Sequence, residues 1–307
     1  MDLLARSEYA GLVSPAVQVR SIERYEITRL FVPGAEREEN LRRFFDPYES
    51  IYSWMGSGQR EFATHLKLLA GGRVKLFPFR PPDSQVHISD YYLNCVTERP
   101  SGETFPTVPL RADALAWGRR YLSEIGFEKK RILALAPGSG AREKNWPVEF
   151  FRQVQRWWEE AAGGGSLIIL GPAEGEWLGN GYNWGSAIVA RNLDLAKVAA
   201  LLSLCDLYLG NDSGLTHLAA AVGVEAVALF GPTDRAQWAP RGKRVTVVSQ
   251  NVECSPCARW VMKSCPHRRC LTTLRPAAMI GLLQRLLARG EGEFPRGNLL
   301  DKGVGRH

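Results

Sequence analysis

Two α/β domains built on parallel sheets are what this 307-residue chain predicts. Three observations carry the prediction. From Arg131 onward, short apolar segments alternate with amphipathic stretches of helical length. Glycine- and proline-bearing loops close those apolar segments one after another. The length suits two cores of ordinary size, and the composition is that of a globular chain, 45% hydrophobic and 23% charged.

The first half alternates less regularly. Leu3 to Ala5 and Val17 to Val19 read as strands, Glu38 to Phe45 as a helix and Ile51 to Trp54 as a strand. Glu61 to Leu69 reads as a helix and Val74 to Phe77 as a strand. Three prolines make Pro78 to Pro82 a loop. A helix over Ala112 to Ile125 leads toward a linker near Gly126, Phe127 and Glu128.

In the second half, Arg131 to Ala136 is a buried strand ending at Pro137-Gly138. Trp146 to Ala162 has helical periodicity, with Pro147 in a first turn that tolerates proline. Strands are expected at Ser166 to Leu170, Ala187 to Ala190, Leu207 to Leu209, Ala226 to Phe230 and Val245 to Val248. Helices are expected at Leu193 to Leu204 and Leu215 to Val222. The glycine-bearing polar tail after Gly290 is expected to fray.

Ligands of such sheets sit beyond the carboxyl ends of the strands. Four polar loops fall on that rim: Pro137 to Gly140, Gly171 to Glu174, Gly210 to Gly214 and Gly231 to Asp234. Asp212 to His217 follows a strand and opens a helix, and a helix start offers unpaired N–H groups and partial positive charge suited to a pyrophosphate. The alternative is an ordinary Asp or Ser cap with a buried histidine. Ser139 and Lys144 suit phosphate contacts, Lys144 as a point charge, and Glu174 is placed to accept ribose hydroxyls unless it is a plain loop carboxylate.

A net charge of +7 suits an anionic partner: nucleic acid, a nucleotide or an anionic membrane surface. No apolar run reaches the roughly 18 residues of a membrane span, and no signal-peptide core opens the chain, so a cytosolic location is expected. Cys95 and Cys205 read as core residues. Cys254, Cys257, Cys265 and Cys270 crowd one loop, in a spacing that fits zinc poorly, so free thiols and no metal are expected. That loop also carries Arg259, Lys263, Arg268 and Arg269 without an acid, which suits an anionic acceptor or lipid headgroups as well as plain solvent.

Taken in order, the rim motifs resemble the heptosyltransferase family of bacterial lipopolysaccharide synthesis, glycosyltransferase family 9. The resemblance rests on Pro137 to Gly140, Lys144 to Pro147, Gly171 to Glu174, Gly210 to Ala221, Ala228 to Asp234, Trp238 to Pro240 and the Cys254 to Leu271 segment. It implies a GT-B fold. Residues 1–128 would be the acceptor-side domain, 129–290 the nucleotide-sugar domain and 291–307 a flexible tail. It further implies an inverting, metal-independent and cofactor-free transfer from an ADP-sugar, typically ADP-heptose, to a lipid-linked core oligosaccharide. That chemistry sits at the inner face of the inner membrane and involves no nucleic acid.

By matched position, Ser139 and Lys144 would contact phosphate or sugar, and Glu174 the ribose. Ser213, Gly214 and Leu215 would offer amides to the pyrophosphate, with Asp212 and His217 beside it. Gly140 stands where family members carry a hydroxyl, which removes one contact. Family members also begin with a strand and a glycine-bearing loop holding the Asp that serves as general base. Met1 to Arg6 looks like the second strand, so about 30 residues of a first βα unit are expected to be absent, and no catalytic base is assigned. The alternatives are a non-catalytic nucleotide-sugar-binding relative and a GT-B-fold sugar-nucleotide epimerase.

Overall fold

The computed structural model describes residues 1–83, 85–97, 105–127, 130–171 and 182–293. Its centre is a six-stranded, all-parallel sheet: β5 (Ile132–Ala136), β6 (Gly165–Leu170), β7 (Ile188–Arg191), β8 (Leu207–Asn211), β9 (Glu225–Phe230) and β10 (Val245–Ser249). The spatial order is β10-β9-β8-β5-β6-β7. The chain therefore steps outward from β5 to β7, returns to the other flank of β5 as β8, and steps outward again. The strand order reverses between β5 and β8, and a crevice opens at such a reversal.

Side chains alternate across these strands with period two. Leu133, Leu135, Ile168, Leu170, Leu207, Leu209, Val227 and Leu229 meet α6 (Val148–Glu160) and α12 (Pro276–Glu293) on one face. Trp146, Phe151, Val154 and Trp158 fill that side, and the Trp158 indole N–H donates to the Gly165 carbonyl at 3.0 Å. The opposite face mixes Ala134, Ala136 and Ala226 with Ile132, Leu167, Ile169 and Tyr208 and is covered by α7 (Leu195–Ser203) and α8 (Gly214–Val222). Both faces are covered, which is why β5, β6 and β8 read as unbroken apolar runs.

The helix expected to close the first domain, α5 (Ala112–Glu124), lies in this second layer instead. A side chain at Gly118 would meet Leu204 at 3.1 Å, so the glycine permits the close helix contact. Leu122 and Phe127 are buried in the same core. Phe127, placed by the sequence in a linker, is a core residue because a helix docked on α7 carries it there.

The first half holds two parallel strand pairs, β1 (Asp2–Ala5) with β2 (Gln18–Ser21) and β3 (Ile51–Ser53) with β4 (Val74–Leu76). A short α1 (Tyr25–Thr28), α2 (Glu39–Phe45) and α3 (Arg60–Ala70) enclose Leu30, Leu41, Phe45, Phe62 and Leu66. A helix that the sequence reading lacked, α4 (Ile88–Val96), follows the proline loop. Beyond β8 come the one-turn α9 (Arg235–Trp238), then α10 (Arg259–Ser264) and α11 (Arg269–Thr272) in the cysteine-bearing segment. Helix α12 runs through Glu293, past the expected start of the tail, because Met279, Leu283 and Leu286 anchor it to the sheet. Residues 294–307 lie outside the described residues. Among the described residues no helix is long and apolar enough to cross a membrane.

Candidate functional site: a polar rim at the strand reversal

Asn211, the last residue of β8, is fully buried and ties the two sides of the reversal together. Its Nδ2 donates to the Pro137 carbonyl at 2.7 Å, and its Oδ1 accepts the Trp146 amide at 2.9 Å. The loop after β5 is thus held on the end of β8. Trp146 is buried beneath it and donates its indole N–H to Leu274 O at 2.7 Å.

Above this staple lies an ion pair. Lys144 Nζ donates to Asp212 Oδ2 at 3.1 Å, and Thr233 Oγ1 donates to the same oxygen at 2.6 Å. The pair is largely sheltered, with 19% and 9% of the two side chains exposed. Three rim loops, those after β5, β8 and β9, therefore converge on one carboxylate. Asp212 immediately precedes Ser213, the cap position of α8, and Ser213 makes no side-chain cap bond. The helix's own ladder begins with the amides of Thr216 and His217, which donate to Ser213 O. Earlier amides of a first turn have no intrahelical partner, and they point outward with the positive end of the helix dipole. A Cβ at Gly214 would meet nothing within 4 Å, and the residue is exposed, so the helix start is open at that position.

The other expected residues distribute as follows. Ser139 Oγ lies 2.6 Å from Asn145 Oδ1 and 2.8 Å from Ala141 O, so its hydroxyl shapes its own loop. Asn145 Nδ2 is buried with no protein partner among the described residues. Such a donor costs roughly 1–3 kcal/mol unless water or a ligand accepts from it. Gly140 faces open space, and Leu215 is half-buried beside Gly214. Glu174 lies outside the described residues, as does its loop beyond Gly171.

His217 occupies the first turn of α8 with its ring beside the Trp238 backbone carbonyl, a neighbour the sequence reading did not foresee. Burial lowers its pKa below the ordinary histidine value, opposed by Asp212 and assisted by His87 and Lys144. His87 is likewise lowered, by burial first and then by Arg241, against its bond to Ala239 O and the charge of Asp90. Both rings therefore bind a proton less readily in the fold than in the unfolded chain. Their contribution is complete above the unfolded-state value near 6.5 and is lost as pH falls through the lower folded-state values. Unfolding midpoints in denaturant should therefore fall between pH 7.5 and pH 5.5, a window above the titration of ordinary carboxylates. An unchanged midpoint across that window would refute it.

The cysteine-bearing segment buttresses the rim. Arg268 donates to the carbonyls of Arg142 and Asn145 at 3.2 and 3.4 Å, Ser255 Oγ to Gly231 O at 2.6 Å, and the Cys257 amide to Pro232 O at 2.7 Å. Cys270 is buried and its thiol is pushed up to about 11 by desolvation, while Cys254 is exposed. Cys205 is buried as expected; Cys95 is only half-buried, on α4. Among the described residues no three His, Cys, Asp or Glu side chains are grouped to hold a metal ion.

The strand reversal of a doubly wound sheet thus carries a sheltered ion pair, a helix start without a side-chain cap and a buried amide. The model of glycosyltransferase family 9 (heptosyltransferase) matches residues 84–265, and the chain belongs to that family. It is 31% identical over 170 residues to lipooligosaccharide heptosyltransferase 2 of Campylobacter jejuni, covering 52% of this chain and 51% of that one. The chain spans about half the length of the curated relatives it matches. The fold is that of E. coli ADP-heptose lps heptosyltransferase II (TM-score 0.69, 17% identity, 94% of this chain and 90% of that chain). It is also that of a family 9 glycosyltransferase from Veillonella parvula (TM-score 0.72, 17% identity, 94% and 88%). The expected GT-B architecture is thus the observed one.

Proposed function

We propose that the protein transfers a sugar from an ADP-activated donor, ADP-heptose in keeping with its family, to a lipid-linked core oligosaccharide. The observation that carries the reading is the Lys144–Asp212 pair at the open start of α8, on the strand reversal. In this reading the amides of Ser213, Gly214 and Leu215 receive the pyrophosphate. Lys144 and His217 flank it, Ser139 and Asn145 border it, and Glu174 takes the ribose. The acceptor hydroxyl oxygen attacks the anomeric carbon and loses its proton to water as the bond from that carbon to the terminal phosphate oxygen breaks, which inverts the configuration. Negative charge then develops on the departing diphosphate, where the Lys144 ammonium and the helix start lie ready to meet it without rearranging. The positive charge comes from the protein, so the reading calls for no metal.

Residues 105–293 form the donor side in this scheme, and the first half faces the acceptor. Contact with an anionic membrane surface at the cytosolic face belongs to the same reading. Trp260 is 77% exposed between the basic residues of the 254–270 segment.

Calorimetry with ADP, NAD and GTP tests the donor. ADP should bind in the micromolar to millimolar range, in preference to the other two. Lys144→Ala should weaken ADP binding by about 1–3 kcal/mol, the scale of a charge-assisted hydrogen bond, with His217→Ala acting in the same direction. A folded protein that ignores ADP and ADP-sugars would refute the reading. Mass spectrometry of an acceptor incubated with ADP-heptose tests the transfer itself.

A further inference from the structure

Residues 238–241 are gripped from both halves of the chain. From the donor side, the His217 ring lies beside the backbone carbonyl of Trp238. From the first half, the Arg80 guanidinium lies 5.5 Å over the Trp238 ring, and His87 Nε2 donates to Ala239 O at 2.8 Å. Asp90 on α4 receives two guanidinium bonds from Arg241, one of them at 2.7 Å. Two histidines from different halves thus face consecutive carbonyls of a single short segment, and His87 bonds the second of them.

His87 performs a second task with its other nitrogen. Its Nδ1 accepts the Ser89 amide at 3.2 Å and caps the start of α4. A carbonyl only accepts and an amide only donates, so the ring carries its single proton on Nε2. The imidazole is a rigid strut between the N-terminus of α4 and the Ala239 carbonyl, with no rotatable bond between its two contacts. Asp90, almost one turn further along α4, fixes the helix to Arg241 as well. The rim reading gives neither residue a task.

We propose that His87 and Asp90 are positioning residues for the donor site: by holding residues 238–241 they keep the Trp238 carbonyl where it orients His217. The first half of the chain thereby sets the affinity of the second half for a diphosphate. This rests on the reading of the α8 start as the diphosphate site.

The test compares His87→Ala, His87→Gln, Asp90→Arg, and the exchanged pair Asp90→Arg with Arg241→Asp. ADP affinity is measured by calorimetry. Amide hydrogen exchange at residues 214–217 and 235–241 is followed in protein without ADP. His87→Ala and Asp90→Arg should weaken ADP about three- to tenfold, the scale of one hydrogen bond, and speed exchange at 214–217. Gln carries a donor in the place of Nε2 and should stay near wild type in both readouts, as should the exchanged pair. ADP affinity and exchange at 214–217 that match wild type in every variant overturn the proposal. So does accelerated exchange throughout both halves with no rescue by Gln, which means the ring only supports the fold. A wild-type protein that binds no ADP refutes the diphosphate site itself, and the exchange comparison then decides the mechanical link alone.

Discussion

Asn211→Ala is expected to lower the unfolding free energy by roughly 2–6 kcal/mol, because it strands two buried backbone groups at once, each worth about 1–3 kcal/mol when unpaired. The groups are the Pro137 carbonyl and the Trp146 amide. The side chain has no exposure, so water has no route to replace either bond without opening the loop. Asn211→Asp should retain the Trp146 bond, lose the donor to Pro137 and bury a charge, with a loss of similar size. Urea denaturation measures both, and a change below about 1 kcal/mol for the alanine variant would show that the loop after β5 is held by other contacts.

The second large effect separates ligand from fold. Gly214→Leu should leave stability unchanged or raised slightly, since glycine is a poorer helix former than leucine and a Cβ there meets nothing outside its own turn within 4 Å. The same side chain stands over the amides proposed to receive the pyrophosphate, and ADP affinity should fall at least about a hundredfold, as loss of more than one charge-assisted bond implies. Thermal unfolding and calorimetry on one sample decide it. Undiminished ADP affinity would move the diphosphate away from α8.

Much of the second half was legible in the sequence because both of its signals are local. A strand covered on both faces is an apolar run, and a rim loop carries glycine or proline where the chain leaves the sheet; β5, β6, β8 and β9 satisfy both. Helix α4 escaped notice because its residues mix polar and aromatic types and its cap is a histidine rather than Ser or Asp. The allegiance of α5 was misjudged because an amphipathic face reports that a helix is covered, not by which layer. Asn211 appeared inside a recognised motif, yet nothing local distinguishes an amide that bridges two strands from one that faces solvent. The partners of His217 and Arg268 lie 21 and more than 120 residues away, beyond any periodicity. Glu174 had a local argument only, and it lies outside the described residues.

The staple across the strand reversal also has a meaning in time. Pro137 and Asn211 are separated by 74 residues of chain. At a synthesis rate of about 5–20 residues per second, β5 emerges roughly 4–15 s before the strand that closes its other flank. During that interval β5 can pair with β6 while its opposite edge stays open to foreign strands. The loops of the proposed diphosphate site acquire their final form only when Asn211 arrives, so a ligand bound there would reward folding at that step and at no earlier one. Slowing synthesis between residues 170 and 211 should therefore raise aggregation of nascent chains by lengthening that interval.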